Sequence, residues 1–219
     1  MRTRVKVCGM TRSEDVQYAV ACGVDALGFI LHADSPRLIN IDMAARISRQ
    51  VPALVNVVGV FVNASHDFIL SCREKIGLDL VQLHGEESPT FAESLGVPYI
   101  KAVRAKSKEQ VISTCEQYSS ARAILLDPFV KGQHGGTGQL LSEDVWPDKD
   151  LEIPLILAGG LSANNIKGRL DRLRPFAVDI NSGVELDPGI KDHHKLNACL
   201  AAVRDFDQSL NNHVVSTLT

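Results

Sequence analysis

Apolar residues along this chain come in short, β-branched runs that alternate with stretches of helical spacing. The first run is RVKVCG at 4–9. Ser13 follows as a candidate helix cap, Val16, Ala19 and Val20 form a stripe, and Gly23 is placed to end the helix. DALGFIL at 25–31 is the second run, with a loop and a helix over about 42–50. VNVVGVFV at 55–62 is the third, followed by Phe68, Ile69, Cys72 and Ile76 on one helical stripe. LDLVQLHG at 78–85 precedes a helix from Ser88 to Leu95. The second half repeats the pattern. PYIKAVR at 98–104 leads to a helix over 107–118, and ARAILLD at 121–127 leads to a long polar segment. IPLILAGG at 153–160 leads to a helix near Ala163 or Asn164. FAVDINSG at 176–183 leads to a last helix carrying Leu196, Leu200, Val203, Phe206 and Leu210.

Strand–helix alternation with near-continuous apolar strands implies a parallel sheet buried on both faces. Eight such units predict a small α/β (β/α)8 TIM barrel as a single domain over residues 1–210, with a frayed tail over 211–219. The sixth unit is the irregular one. Residues 128–152 are rich in Gly, Asp and polar side chains, and a loop of that length in a compact domain is more often functional than idle.

Composition narrows the picture. A net charge of −3 offers no basic surface for nucleic acid. No apolar run reaches the ~18–20 residues of a membrane span, and the N-terminus lacks the apolar core of a secretory signal. Five scattered cysteines without a C-x-x-C pair fit reduced, cytoplasmic thiols better than disulfides or a zinc site. No His/Asp/Glu set has metal-site spacing, so no metal is expected.

In a barrel of this kind the chemistry sits where the strands end. Strand 1 ends at Cys8. A buried free cysteine is usually a small hydrophobe, but a strand-end thiol followed by Gly9 can act as a base once cationic neighbours lower its pKa. Strand 6 ends at Asp127, either a turn-former or, if desolvated, a proton donor. Strands 1 and 6 face each other across the mouth, which suits two proton transfers on opposite sides of one substrate. Arg37 in SPR is either a solvated loop residue or a clamp for a carboxylate. His84 either orients a substrate or satisfies a strand-end carbonyl. His193 and His194, opening the last helix, read as solvent-facing. The turns around Gly159–Gly160 and Ser182–Gly183 lie after strands 7 and 8, the recurring phosphate position of this fold. GQHGGTG at 132–138, with Gly136 and Gly138, reads as a glycine-rich lid lining the substrate and lacks the ending of a P-loop.

These motifs resemble one family. KVCGMT (6–11), GFI with SPR (28–37), GVFVN (59–63), VQLHG (81–85), LLD (125–127), GGTG (135–138), LAGGL (157–161) and DINSGVE (179–185) are similar, in order, to phosphoribosylanthranilate isomerases of tryptophan biosynthesis. The resemblance implies a cofactor-free Amadori rearrangement of a phosphorylated small molecule by a cytoplasmic monomer or homodimer. It implies Cys8 as base, Asp127 as acid, Arg37 near the anthranilate carboxylate, and Gly159, Gly160, Ser182 and Gly183 at the phosphate. Two places depart from the family pattern: Trp146 comes later after GGTG, and Asn181 stands where serine is commoner. The alternatives are another phosphosugar barrel of histidine or tryptophan biosynthesis, or a catalytically silent phosphate-ligand sensor on the same fold.

Overall fold

Eight parallel strands close on themselves in chain order, each bonded to the next and the last to the first. The computed structural model describes residues 2–128, 139–148 and 151–216, the last six by their backbone. The barrel strands are β1 (Arg4–Val7), β2 (Ala26–His32), β3 (Asn56–Phe61), β4 (Leu80–Leu83), β5 (Tyr99–Ala105), β6 (Ala123–Pro128), β7 (Leu155–Leu157) and β8 (Ala177–Ile180). The helices are α1 (Ser13–Ala21), α2 (Ile41–Ser48), α3 (His66–Ile76), α4 (Pro89–Ser94), α5 (Lys108–Gln117), α6 (Ile166–Leu173) and α7 (His193–Ser216). The last helix therefore continues past Leu210, where the sequence places the start of a frayed tail. A two-stranded hairpin, β9 (Glu185–Asp187) with β10 (Ile190–Lys191), sits between β8 and α7.

Local chemistry explains most boundaries. Ser65, Ser88 and Ser107 each accept a backbone N–H at the start of α3, α4 and α5, and Asn40 does so for α2. Gly77 ends α3 in the left-handed conformation. Ser13 is not a cap: α1 starts on Arg12 without a side-chain cap, and the Ser13 hydroxyl bonds Gln50 instead. Helix α6 begins at Ile166, two or three residues later than expected. Between Pro128 and β7 the described residues hold only a short 3-10 turn, Glu143–Val145, with Trp146 just after it.

Strand alternation sorts the side chains into two environments. Val5, Val7, Leu27, Phe29, Val81, Leu83, Ile124, Leu126, Val178 and Ile180 face the helices and join the main core. Inside the barrel, Ile100, Ala102, Ala123, Leu125, Ile156, Ala158 and Ala177 pack as one apolar group, and Cys8, Ile30 and Val60 as another. Lys6, Gln82, Asp127 and Asp179 share the interior phase of their strands with these residues and are all buried. Because Lys6 pairs in register with Asp179 across the β1–β8 ladder, closure of the barrel brings a lysine and an aspartate together inside it. Among the described residues no helix is long and apolar enough to cross a membrane.

Candidate active site

A cavity opens at the C-terminal ends of the strands. Its walls include Cys8, Arg37, His84, Asp127, Gly159, Gly160 and Ser182, seven residues singled out in the sequence from six different strand ends. Gly183 is not among the residues that line it. A Cβ there would stand 2.0 Å from the Leu161 carbonyl oxygen, so glycine lets the loops after β7 and β8 touch. Gly136 and Gly138 lie outside the described residues.

Cys8 follows β1, and its N–H donates to Ile180 O at 2.9 Å, fixing it against β8. Two residues earlier on the same face, Lys6 donates from Nζ to Asp179 Oδ1 at 2.8 Å. Its ammonium lies near the Cys8 sulfur. Gly28 on β2 makes room for this cluster: a Cβ there would meet Cys8 Sγ at 2.8 Å and Lys6 Nζ at 3.0 Å. Burial pushes the Cys8 thiol up, Lys6 and Lys191 pull it back, and Asp179 adds to the rise, leaving it above an ordinary thiol. The expectation of a thiol lowered by cations is thus corrected, because desolvation outweighs the lysines. Burial alone would lower Lys6, but Asp179 and Cys8 more than offset it and hold the ammonium above the usual range.

Asp127 ends the interior face of β6, two residues after Leu125, and is paired in register with Arg104. His84 Nε2 stands 3.6 Å from Asp127 Oδ2. His84 does not serve a strand-end carbonyl; its Nδ1 is 3.1 Å from Gln82 Nε2.

Arg37 is buried. Its Nε donates to both carboxylate oxygens of Glu185 at 3.0 Å, and Nη2 donates to Oε2 at 2.7 Å. Glu185 in turn accepts from Lys191 Nζ at 2.8 Å. One carboxylate between two cations leaves a net positive charge. Because Glu185 occupies Nε and Nη2, the Nη1 end of the fork retains N–H groups for another acceptor. Burial raises the Glu185 carboxyl, but Arg37 and Lys191 outweigh it and keep it below the usual range. Lys191 also donates to Asn181 Oδ1 at 2.9 Å, so the side chain that departs from the family pattern is held from behind.

Gly159 and Gly160 both have left-handed φ values, +88° and +55°, which a side chain would strain. Asn165 staples this turn, accepting from Ser162 N–H at 3.0 Å and donating to Gly160 O at 2.9 Å. The wall after β8 is a single 3-10 turn, Ser182–Val184.

The sequence reading left Lys6 without a role, since alternation alone did not say which face it uses, and did not single out Asp179, Gln82, Glu185 or Lys191. The i, i+2 spacing of Lys6 from Cys8, and of Gln82 from His84, was the available signal. His193 is a correction: its Nε2 lies 2.9 Å from the buried Asp15, and its ring stacks on Tyr18 at 4.0 Å. His194 is exposed. All five cysteines are free. Among the described residues no group of three or more His, Cys, Asp or Glu side chains is arranged to hold a metal.

A (β/α)8 barrel that brings a thiol, a carboxyl and buried cations to one mouth belongs to the class of acid–base barrel enzymes. Known proteins make this specific. The sequence profile described as "N-(5'phosphoribosyl)anthranilate (PRA) isomerase" matches residues 5–202. The chain is 44% identical over 202 residues to the N-(5'-phosphoribosyl)anthranilate isomerase of Pseudomonas fluorescens SBW25, covering 92% of this chain and 96% of that one. Its fold is similar to the crystal structure of the Thermotoga maritima phosphoribosyl anthranilate isomerase (TM-score 0.84, 36% identity, 93% and 99% coverage). It is also similar to a phosphoribosyl anthranilate isomerase in complex with reduced 1-(o-carboxyphenylamino)-1-deoxyribulose 5-phosphate (TM-score 0.76, 34% identity, 93% and 99% coverage). The chain belongs to the N-(5'-phosphoribosyl)anthranilate isomerase family.

Proposed function

We propose that this chain converts N-(5'-phosphoribosyl)anthranilate to 1-(2-carboxyphenylamino)-1-deoxyribulose 5-phosphate with Asp127 as general acid and Cys8 as general base. Family membership gives the reaction; the shared cavity supports the roles. Asp127 donates its proton to the furanose ring oxygen. The bond from that oxygen to C1 breaks, and the anilino nitrogen's lone pair forms the Schiff-base cation. Cys8, as thiolate, removes the proton from C2. The electron pair left behind makes the C1–C2 double bond and neutralises the nitrogen. The enolamine then loses its O2 proton and gains one at C1, giving the ketone.

The electrostatics suit this order. A buried thiol resists ionisation in the resting enzyme, but Lys6 lies against it and ring opening adds a second positive charge on the substrate nitrogen. The thiolate is favoured at the step that uses it. The free Nη1 end of Arg37 is the donor for the anthranilate carboxylate, in a cluster whose charge is net positive. The turns at Gly159–Gly160 and Ser182 form the phosphate cradle, stapled by Asn165. Free thiols in a reducing cytoplasm keep Cys8 available.

The observation that carries this reading is that Cys8 and Asp127, from strands 1 and 6, line one cavity. The test is turnover of phosphoribosylanthranilate, followed by loss of its anthranilate-type fluorescence. Asp127→Asn lowers kcat by at least ~10² with an unchanged melting temperature. Near-normal kcat would remove Asp127 as the acid.

A further inference from the structure

We propose that Gln82 and His84 are a positioning pair for the acid: Gln82 fixes the tautomer of His84, and His84 Nε2–H fixes the Asp127 carboxyl. This inference rests on the reading of Asp127 as the general acid.

Gln82 and His84 are two residues apart at the end of β4, so both side chains take the interior phase. The His84 backbone N–H is anchored to Phe61 O at 2.8 Å. The Gln82 amide nitrogen carries only donors, and it lies 3.1 Å from His84 Nδ1. With that nitrogen donating, Nδ1 accepts and the ring proton sits on Nε2. That Nε2 faces Asp127 Oδ2 at 3.6 Å, just beyond bonding distance. Catalytic hydrogen bonds are often long in the free enzyme and tighten around the substrate.

Unsatisfied groups mark the same place. Three buried side-chain polar atoms have no hydrogen-bond partner among the described residues, and two of them are His84 Nε2 and Gln82 Oε1. Folded proteins pair most buried polar atoms, so these two are open to a further partner at the cavity. Both residues line the cavity that holds Cys8 and Asp127.

The chemical consequence is selective. An N–H donated to Oδ2 leaves Oδ1 as the carboxyl oxygen that carries the proton. It also stabilises the carboxylate once that proton has passed to the ring oxygen. His84 neither gains nor loses a proton in the cycle.

The test combines a spectroscopic signature with a rescue. In ¹⁵N-labelled full-length protein, the imidazole signal lost on His84→Asn identifies His84. The expected pattern is a protonated Nε2 and a bare Nδ1; a protonated Nδ1 in the wild type overturns the proposal. In kinetics, His84→Gln, whose amide nitrogen can take the place of Nε2, stays near wild type. His84→Asn, which cannot, loses roughly 10–100-fold in kcat with a smaller change in KM. Wild-type kcat in His84→Asn, or equal losses in both variants, overturns it. Asp127→Asn separates the two readings. If that variant is active, the acid assignment itself fails. If it is inactive while His84→Asn is normal, only the positioning pair fails.

Discussion

Replacing Lys6 by Met isolates the electrostatic support of the thiol. The Gly28 environment places Cys8 Sγ and Lys6 Nζ within about 3 Å of one point, so the two atoms are close neighbours. Unit charges about 5 Å apart at an effective dielectric of about 20 interact by about 3 kcal/mol, roughly a 100-fold effect on an equilibrium. In the wild type Asp179 cancels part of this, because it sits 2.8 Å from the ammonium and itself raises the thiol. In Lys6→Met both effects act in one direction: the cation is gone and the carboxylate is bare. The thiolate fraction at a fixed pH then falls by about 100-fold, and kcat with it. The double variant Lys6→Met/Asp179→Asn removes both charges and loses less. It also regains stability, since breaking one side of a buried pair costs about 3–5 kcal/mol. The assay is the pH dependence of Cys8 alkylation by iodoacetamide, read by peptide mass, beside kcat. Cys199, pushed up to about 12 by burial, stays unmodified and serves as the internal control. If Cys8 in Lys6→Met alkylates with the wild-type pH profile, Lys6 does not set the thiolate and the electrostatic account is wrong.

The remaining predictions concern space, charge and binding. Gly28→Ala puts a methyl group against Sγ and Nζ, so kcat falls at least tenfold in the fluorescence assay even where circular dichroism shows a folded barrel. Arg37→Met raises KM more than it lowers kcat, since a carboxylate contact remote from the reacting carbons binds ground and transition states alike. Asp15 is fully buried. Burial raises its carboxyl, but Arg12, the Lys191 N–H and His193 outweigh it and hold it below the usual range. A depressed carboxyl stabilises the fold above its unfolded pKa, and that contribution is lost as the pH falls below about 4. In urea titrations the advantage of wild type over Asp15→Asn is therefore full at pH 7 and shrinks toward pH 3; a constant gap would show that Asp15 acts by packing alone.

Much of the fold was legible because its signals are local. Eight β-branched runs, serine caps at Ser65, Ser88 and Ser107, and Gly77 after α3 depend on neighbours a few residues away. Cys8, Asp127, Arg37 and the glycine turn at 159–160 were legible because the ends of parallel strands share one rim. Ser13 misled because a serine near a helix start is a signal without a partner, and Gln50, 37 residues away, took its hydroxyl.

By itself, then, the sequence determined the order of strands and helices, the kinds of group at each strand end, and through them the family. Only the tertiary structure decided how those groups are charged and aimed. Closure of β8 against β1 sets Asp179 beside Lys6, and a hairpin after β8 brings Glu185 and Lys191 behind Arg37. The physical reason is that pattern and capping act over a few residues along the chain. Ionisation and hydrogen-bond direction depend instead on burial and on partners the fold brings in, such as Asp179 beside Lys6 and Glu185 beside Arg37.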